Sequence, residues 1–203
     1  MKRILLKLSG EALAGPKKTG FDEATVMEVA KQVKVLVEEG IQVGIVIGGG
    51  NFWRGQTSEN IDRTKADQIG MLATVMNCIY VSEIFRAAGM NTSVLTPFEC
   101  GSFTKLFSKD RAVKYLERGT VVRAIEIEAE TIFLAKAVDG VYDSDPKVNP
   151  NAKKYDEVSI QEVIDQKLAV VDMTASILCM ENKMPMLVFG LNEENSIVNT
   201  AHG

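Results

Sequence analysis

Short aliphatic runs alternate along the chain with longer stretches in which apolar residues recur at helical spacing. Arg3–Leu8 (RILLKL) reads as a first strand, followed by a glycine-containing turn. Asp22 can cap a helix over about Glu23–Glu39, with Val26, Val29, Ala30, Val33, Leu36 and Val37 on one face and Gly40 where a C-terminal cap belongs. Gln42–Ile47 (QVGIVI) runs straight into Gly48–Gly50 and has the pattern of a strand buried on both faces. Thr64–Ala88 predicts a long helix ending before Gly89, Asn91–Leu95 a strand stopped near Pro97, and Ser108 the start of a short helix ending at Gly119. Thr131–Ala135 predicts another buried strand, and Asp139–Pro146 a polar loop. Ser159-Ile160-Gln161-Glu162 is a capping-box pattern, Asp172–Asn182 reads as a helix, and Met186–Phe189 is the last clear strand. No repeat, low-complexity tract or linker divides the chain. Strands alternating with helices predict one domain over 1–203, an α/β three-layer sandwich around a central, mostly parallel sheet. In such sheets ligands bind beyond the carboxyl ends of the strands.

Composition removes several function classes. At 203 residues with 46% hydrophobic and 25% charged positions, the chain can bury a sizeable core and is not disordered. A net charge of −4 without a Lys/Arg run argues against nonspecific nucleic-acid binding. No apolar run reaches the roughly 18 residues of a membrane-spanning helix, and Met1–Leu8 lacks the apolar centre of a signal peptide. Cys78, Cys100 and Cys179 show no CxxC spacing and suit a reducing compartment, so a cytoplasmic protein without membrane or nucleic-acid partners is expected. The single histidine, His202, excludes a multi-histidine zinc site and would have to carry any Ser-His-Asp or Cys-His mechanism alone. Chemistry here must use lysine, arginine, carboxylates, hydroxyls, backbone amides or a bound ion.

Three segments at strand ends carry such groups. Lys7-Leu8-Ser9-Gly10-Glu11 places a lysine inside an apolar strand, where desolvation is costly unless an anion compensates, and then offers backbone amides at a turn that a phosphate can approach. A snorkelling edge lysine and an ordinary turn explain the same residues. Gly10 and Gly15 have Walker A spacing, but Pro16 stands in the lysine position and no Ser/Thr follows Lys17, so a P-loop is rejected. Gly48-Gly49-Gly50 precedes Asn51-Phe52-Trp53-Arg54-Gly55; three glycines suit backbone lying against a ligand, and Arg54 can grip phosphate oxygens with a bidentate fork. A structural turn is the alternative, and the pattern is not GxGxxG. Asp139–Pro146 contains three carboxylates and Tyr142, able to meet ribose hydroxyls and a base, although a solvated turn also accounts for it. It matches no EF-hand. Asp67 fits as a first-turn carboxylate favoured by the helix dipole, Asp172 as an N-cap, and Met71, Val75 and Met76 as core. A parallel sheet would bring Lys7 and the glycine triplet to one edge, assembling the parts phosphoryl transfer needs.

KLSGEAL at Lys7–Leu13, VIGGGNFWRG at Val46–Gly55, GMLATVMN at Gly70–Asn77, RAIEIEA at Arg123–Ala129 and VDGVYDSDP at Val138–Pro146 together resemble the bacterial uridylate kinases, a family of the amino-acid-kinase fold. The resemblance runs from Lys2 to about Leu191 in order. It implies ATP- and magnesium-dependent phosphorylation of UMP to UDP, in pyrimidine nucleotide biosynthesis. Residue by residue, it implies that Lys7, Leu8, Ser9 and Gly10 contact ATP phosphates, with Lys7 stabilising the transferred group. Gly50 and Arg54 would face ATP, and Gly49 UMP. Asp67 would bind the uridine ribose, while Tyr142 and Asp145 would hold the adenosine end. Lys136 stands at another ATP-contacting position whose residue type varies, and Asp172 matches an aspartate near the phosphates, reaching magnesium through water. The resemblance further implies a homohexamer, activation by GTP and inhibition by UTP, with Gly15, Pro16, Lys17, Lys18, Thr19 and Gly20 in the segment linked to GTP.

One departure concerns the acceptor side. The family carries a glycine- and threonine-rich loop before RAIEIEA that supplies much of the UMP site, whereas here Gly119-Thr120-Val121-Val122 runs directly into Arg123-Ala124-Ile125. Thr120–Val122 has strand character and Arg123–Glu130 helical spacing, yet no residue is left for a turn that usually takes about 2–6. The end at Ala201-His202-Gly203 is also early for the family. A polypeptide longer than 203 residues, with a glycine-rich loop between 122 and 123, is therefore expected. An intact mass well above 22.2 kDa is the result that agrees; a mass equal to it means a true deletion, with UMP phosphorylation nearly lost.

Overall fold

The computed structural model describes residues 1–53, 60–123, 129–136, 138–146, 148–168, 173–181 and 183–203. In chain order the elements are β1 (Arg3–Leu8), α1 (Gly10–Ala14), α2 (Glu23–Glu38), β2 (Gln42–Ile47), α3 (Arg63–Ala87), β3 (Thr92–Thr96), β4 (Lys105–Leu106), α4 (Lys109–Leu116), β5 (Val121–Arg123), β6 (Thr131–Lys136), β7 (Val141–Tyr142), β8 (Lys154–Tyr155), α5 (Ile160–Asp165), α6 (Met173–Glu181), β9 (Met186–Gly190) and α7 (Ser196–His202). A 3-10 turn at Gly15–Lys17 follows α1.

Seven strands form one sheet in the order β4-β3-β5-β2-β1-β6-β9, every neighbouring pair parallel. On one face Ile4, Leu6, Leu8, Val43, Ile45 and Phe133 pack with Val26, Val33 and Leu36 of α2, Val81 and Phe85 of α3, and Ile197 of α7. Leu95 and Val122 join Ala112 and Leu116 of α4 in a second cluster, against which Leu5 packs. Helices on both faces make the expected three layers.

Local sequence explains where helices start. Ser9, Asp22, Asp62, Ser108 and Ser159 are N-caps whose side-chain oxygens accept from the backbone N–H three residues on. Asp22 accepts from both the N–H and the hydroxyl of Thr25, which with Lys17 nearby holds its carboxyl below the usual range. Gly40, Gly89 and Gly119 follow helices with φ of 84°, 90° and 69°, a conformation that favours glycine.

α3 is long and apolar enough to cross a membrane by length and composition alone. It is seated on the sheet instead: Ala73, Val81 and Phe85 are buried, and the hydroxyls of Ser82 and Thr92 share a hydrogen bond of 2.7 Å.

Five expectations need correction. Of the three α3 residues expected in the core only Val75 is buried, while Met71 and Met76 are 46% and 47% exposed. The turn after β1 is a short helix, because Ser9 caps it. The polar loop at 139–146 contains β7, paired antiparallel with β8. Asp62 caps α3, so Asp67 lies beyond the first turn and is exposed. Arg123 is not helical; it ends β5, level with Val94 of β3. Residues 124–128 of the expected helix lie outside the described residues, as does Asp172.

The link from β5 to β6 is short for its task. The registers Val122↔Gly44, Leu5↔Gly44 and Leu5↔Ile132 set the two strands level, with β2 and β1 between them. Three interstrand steps make about 14 Å, and parallel crossovers usually take a dozen residues or more. Positions 124–130 are all that is available.

Candidate functional site

The first and second strands end side by side, Leu8 level with Ile47, and the Gly48 N–H donates to the Leu8 carbonyl at 3.1 Å. The Ser9 hydroxyl accepts from the Ala12 N–H at 3.1 Å and so turns the chain into α1. Gly10, the first residue of that helix, is buried against the glycine triplet. A Cβ there would lie 2.5 Å from Asn51 Oδ1, 2.6 Å from the Gly48 carbonyl oxygen and 3.0 Å from the Gly50 nitrogen. The triplet is hemmed in elsewhere too: a Cβ on Gly49 would stand 2.8 Å from the Gly70 carbonyl oxygen of α3, and one on Gly50 would stand 3.1 Å from Glu11 Oε1.

Lysines approach the same edge. Lys7 is half-buried and level with Leu134 of β6, so Lys136, two residues on, shares its face of the sheet. Burial, reinforced by the positive charge of Lys7, holds the Lys136 ammonium below the usual lysine range, while Glu11 pulls the other way. Burial pushes the Cys179 thiol of α6 up, and the positive charge of Lys7 opposes this. Lys7, Lys136 and the Glu11 carboxylate are thus gathered at one edge.

Beyond β6, Asp139 accepts from the Tyr142 hydroxyl at 2.6 Å and from Lys154 Nζ at 2.8 Å. The Lys154 bond first and the Tyr142 bond second hold the Asp139 carboxyl below its usual range, and the same bond pushes the Tyr142 phenol up. The Val148 and Asn149 N–H groups donate to the carbonyl of Asp145, whose side chain is exposed. On the other side of the glycines, an apolar cavity of 310 Å³ is lined by Ile47, Met71, Thr74, Val75, Leu95 and Phe98, among others. Asp67 lies one helical turn before Met71. Trp53 Nε1 is buried without a hydrogen-bond partner among the described residues.

Of the residues expected from sequence, Lys7, Leu8, Ser9, Gly10, Gly49, Gly50 and Lys136 are brought to one edge of the sheet. Tyr142 and Asp145 follow on the loop after β6, and Asp67 stands apart on α3. Gly15–Gly20 approaches through Gly20, whose N–H donates to the Asn51 carbonyl at 3.2 Å. Arg54 and Asp172 lie outside the described residues. Glu11, Asn51, Asn77 and Lys154 were not singled out from sequence. A buried asparagine on the core face of an otherwise apolar helix was the available signal for Asn77.

Two stretches of the chain, 2–123 and 117–190, match the amino acid kinase family. The chain belongs to that family. Within it, the chain is similar to the UMP kinase from Bacillus anthracis, at 34% identity and a TM-score of 0.88, over 95% of this chain and 88% of the other. It is also similar to the UMP kinase from Ureaplasma parvum, at 32% identity and a TM-score of 0.90, over 99% and 94%. The uridylate kinase from Archaeoglobus fulgidus, at 23% identity and a TM-score of 0.70 over 98% and 94%, shares the fold. In this amino acid kinase the family match divides at 117–123, the stretch that ends in β5, where the crossover is short.

Gly10→Ala tests the contact between the two strand-end turns. Alanine is intrinsically better in a helix by about 1 kcal/mol, but its methyl must displace backbone here, and overpacking typically costs about 1–3 kcal/mol. A lower thermal midpoint is expected; an unchanged or raised one would show that the glycine loop yields freely.

Proposed function

We propose that the chain is a UMP kinase, which transfers the γ-phosphoryl group of ATP to UMP to give UDP, a step of pyrimidine nucleotide biosynthesis in the cytoplasm. The observation that carries this reading is the meeting of Lys7, the N-terminus of α1 and the Gly48–Gly50 loop at one sheet edge beside Lys136. The solved relatives bearing the UMP kinase name support the choice of acceptor.

In this reading Lys7, Leu8, Ser9, Gly10, Gly50 and Lys136 face the ATP phosphates, and Tyr142 and Asp145 take the adenosine end. Gly49 and Asp67 serve UMP, beside the apolar cavity at Thr74. Arg54, as a bidentate fork, and Asp172 are also assigned to the phosphates in this reading. Magnesium enters with ATP as part of the substrate, where it neutralises phosphate charge.

The acceptor is already a phosphate anion, so attack requires no prior removal of a proton. The barrier is repulsion between two polyanions, which fixed cations and backbone amides offset while holding donor and acceptor in line. Lys7→Ala is expected to lower kcat by about 10²–10³ with folding retained; near-normal turnover in the folded variant would remove Lys7 from the mechanism. A panel of acceptors that includes UMP, carbamate, acetylglutamate and isopentenyl phosphate, read by coupled ADP detection, tests the substrate. ATP binding without turnover of any acceptor would favour a nucleotide sensor.

The partner reading is a homo-oligomer, a hexamer activated by GTP and inhibited by UTP. Ile69, Leu72 and Met76 form a stripe on α3 and are 37%, 55% and 47% exposed, which supports self-association through that helix. Leu72→Asp is expected to shift the chain to a smaller species by light scattering; an unchanged mass would place the interface elsewhere.

A further inference from the structure

Three segments meet twice beside the glycine loop. In the first layer, Asn51 and Asn77 face each other as a closed amide pair: Asn51 Nδ2 donates to Asn77 Oδ1 at 3.0 Å, and Asn77 Nδ2 to Asn51 Oδ1 at 2.7 Å. The second N–H of each is also used, Asn51 Nδ2 donating to the Gly20 carbonyl at 2.8 Å and Asn77 Nδ2 to the Gly48 carbonyl at 2.7 Å. Both side chains are buried, at 2% and 0% exposure. In the second layer Phe21, next to Gly20, stacks on Tyr80, one turn after Asn77, with ring centroids 3.8 Å apart. Phe52, next to Asn51, meets Phe21 edge-on at 5.0 Å.

The bond to Gly48 has a directional consequence. A peptide group is planar, with C=O and N–H opposed, so fixing the Gly48 carbonyl toward Asn77 turns the Gly49 N–H the other way. The Gly49 carbonyl accepts from the Phe52 and Trp53 N–H groups, both at 3.1 Å, which fixes the Gly50 N–H in the same manner. Glycine has the widest backbone freedom of any residue, and a run of three would otherwise sample many orientations. A fully satisfied buried amide network is rigid and specific, and loss of one member leaves the others unpaired.

We propose that the Asn51–Asn77 pair is the positioning element of the glycine loop: it aims the Gly49 and Gly50 N–H groups for phosphate and, through Gly20, ties the 15–20 segment to that aim. This rests on the kinase reading above. Neither asparagine need touch a nucleotide. A change at Gly20–Phe21 would then be felt at the phosphates through Asn51.

The test compares Asn77→Ala, the gentler Asn77→Ser and Phe21→Ala with Ile197→Ala, a core change on α7 away from the site, each assayed well below its own thermal midpoint. ATP affinity is read by calorimetry and by the emission of Trp53, the only tryptophan, which adjoins the loop; kcat and KM are read with saturating UMP. Both Asn77 variants are expected to bind ATP at least tenfold more weakly and to lose kcat, with Phe21→Ala shifted less in the same direction. Ile197→Ala should lower the midpoint and leave both quantities near the parent values. Asn77→Ser or Asn77→Ala with a lowered midpoint but parental ATP affinity and kcat would overturn the positioning role. Parental values in Phe21→Ala would overturn the tie to the 15–20 segment. If the parent itself binds ATP but does not turn over UMP, the acceptor reading has failed, while the affinity comparison still decides this one.

Discussion

The site depends on a close approach between two backbones. Where β1 turns into α1 and β2 opens into three glycines, there is no room for a Cβ on Gly10. That closeness requires the parallel register that sets Leu8 beside Ile47, and it allows amides from both turns to converge. Side chains could not replace this arrangement, since each would push the turns apart. The surrounding features serve the approach: the Ser9 cap ends the strand at the right residue, and α3 abuts Gly49 from the other side.

Electrostatics follow from the same geometry. Lys7 and Lys136 reach one cleft because adjacent parallel strands present residues in register on a common face. For Lys136, burial and the Lys7 charge act in the same direction and lower its pKa. The Glu11 carboxylate opposes them, so both signs of charge are gathered at this edge.

Much of this was legible in the amino-acid order. Arg3–Leu8 and Gln42–Ile47 read as strands from their short aliphatic runs, and helices such as α2 and α4 could be placed by their caps. The apolar cavity was less legible because it is built from positions far apart in sequence: it joins β2, α3 and the Pro97 region. β7 escaped notice because two residues give no periodicity, and its pairing with β8 depends on a register set across a loop. The helix α7 went unread for a different reason. It packs through Ile197 on the main core and is tied to α2 by the Ile197 N–H donating to Gln32 Oε1 at 2.8 Å, partners 165 residues apart that no local pattern announces. Asn77 sat within a recognised motif, yet only its burial against Asn51 shows why an amide stands there.

The strand order has a bearing on how the protein comes to exist. β1 is the first strand synthesised, but it lies between β2 and β6, and β6 follows only after β2 through β5 have emerged. The emerging chain can therefore close the glycine turns early, by pairing β1 with β2. The second lysine must wait for a strand that is distant in sequence, and closing such long loops is slow and entropically costly. During translation there is an interval in which the edge of β1 is open and the cleft carries one cation instead of two. The second cation is thus brought to a sheet that is already half built, and the charge pattern of this edge is completed only when β6 pairs with β1.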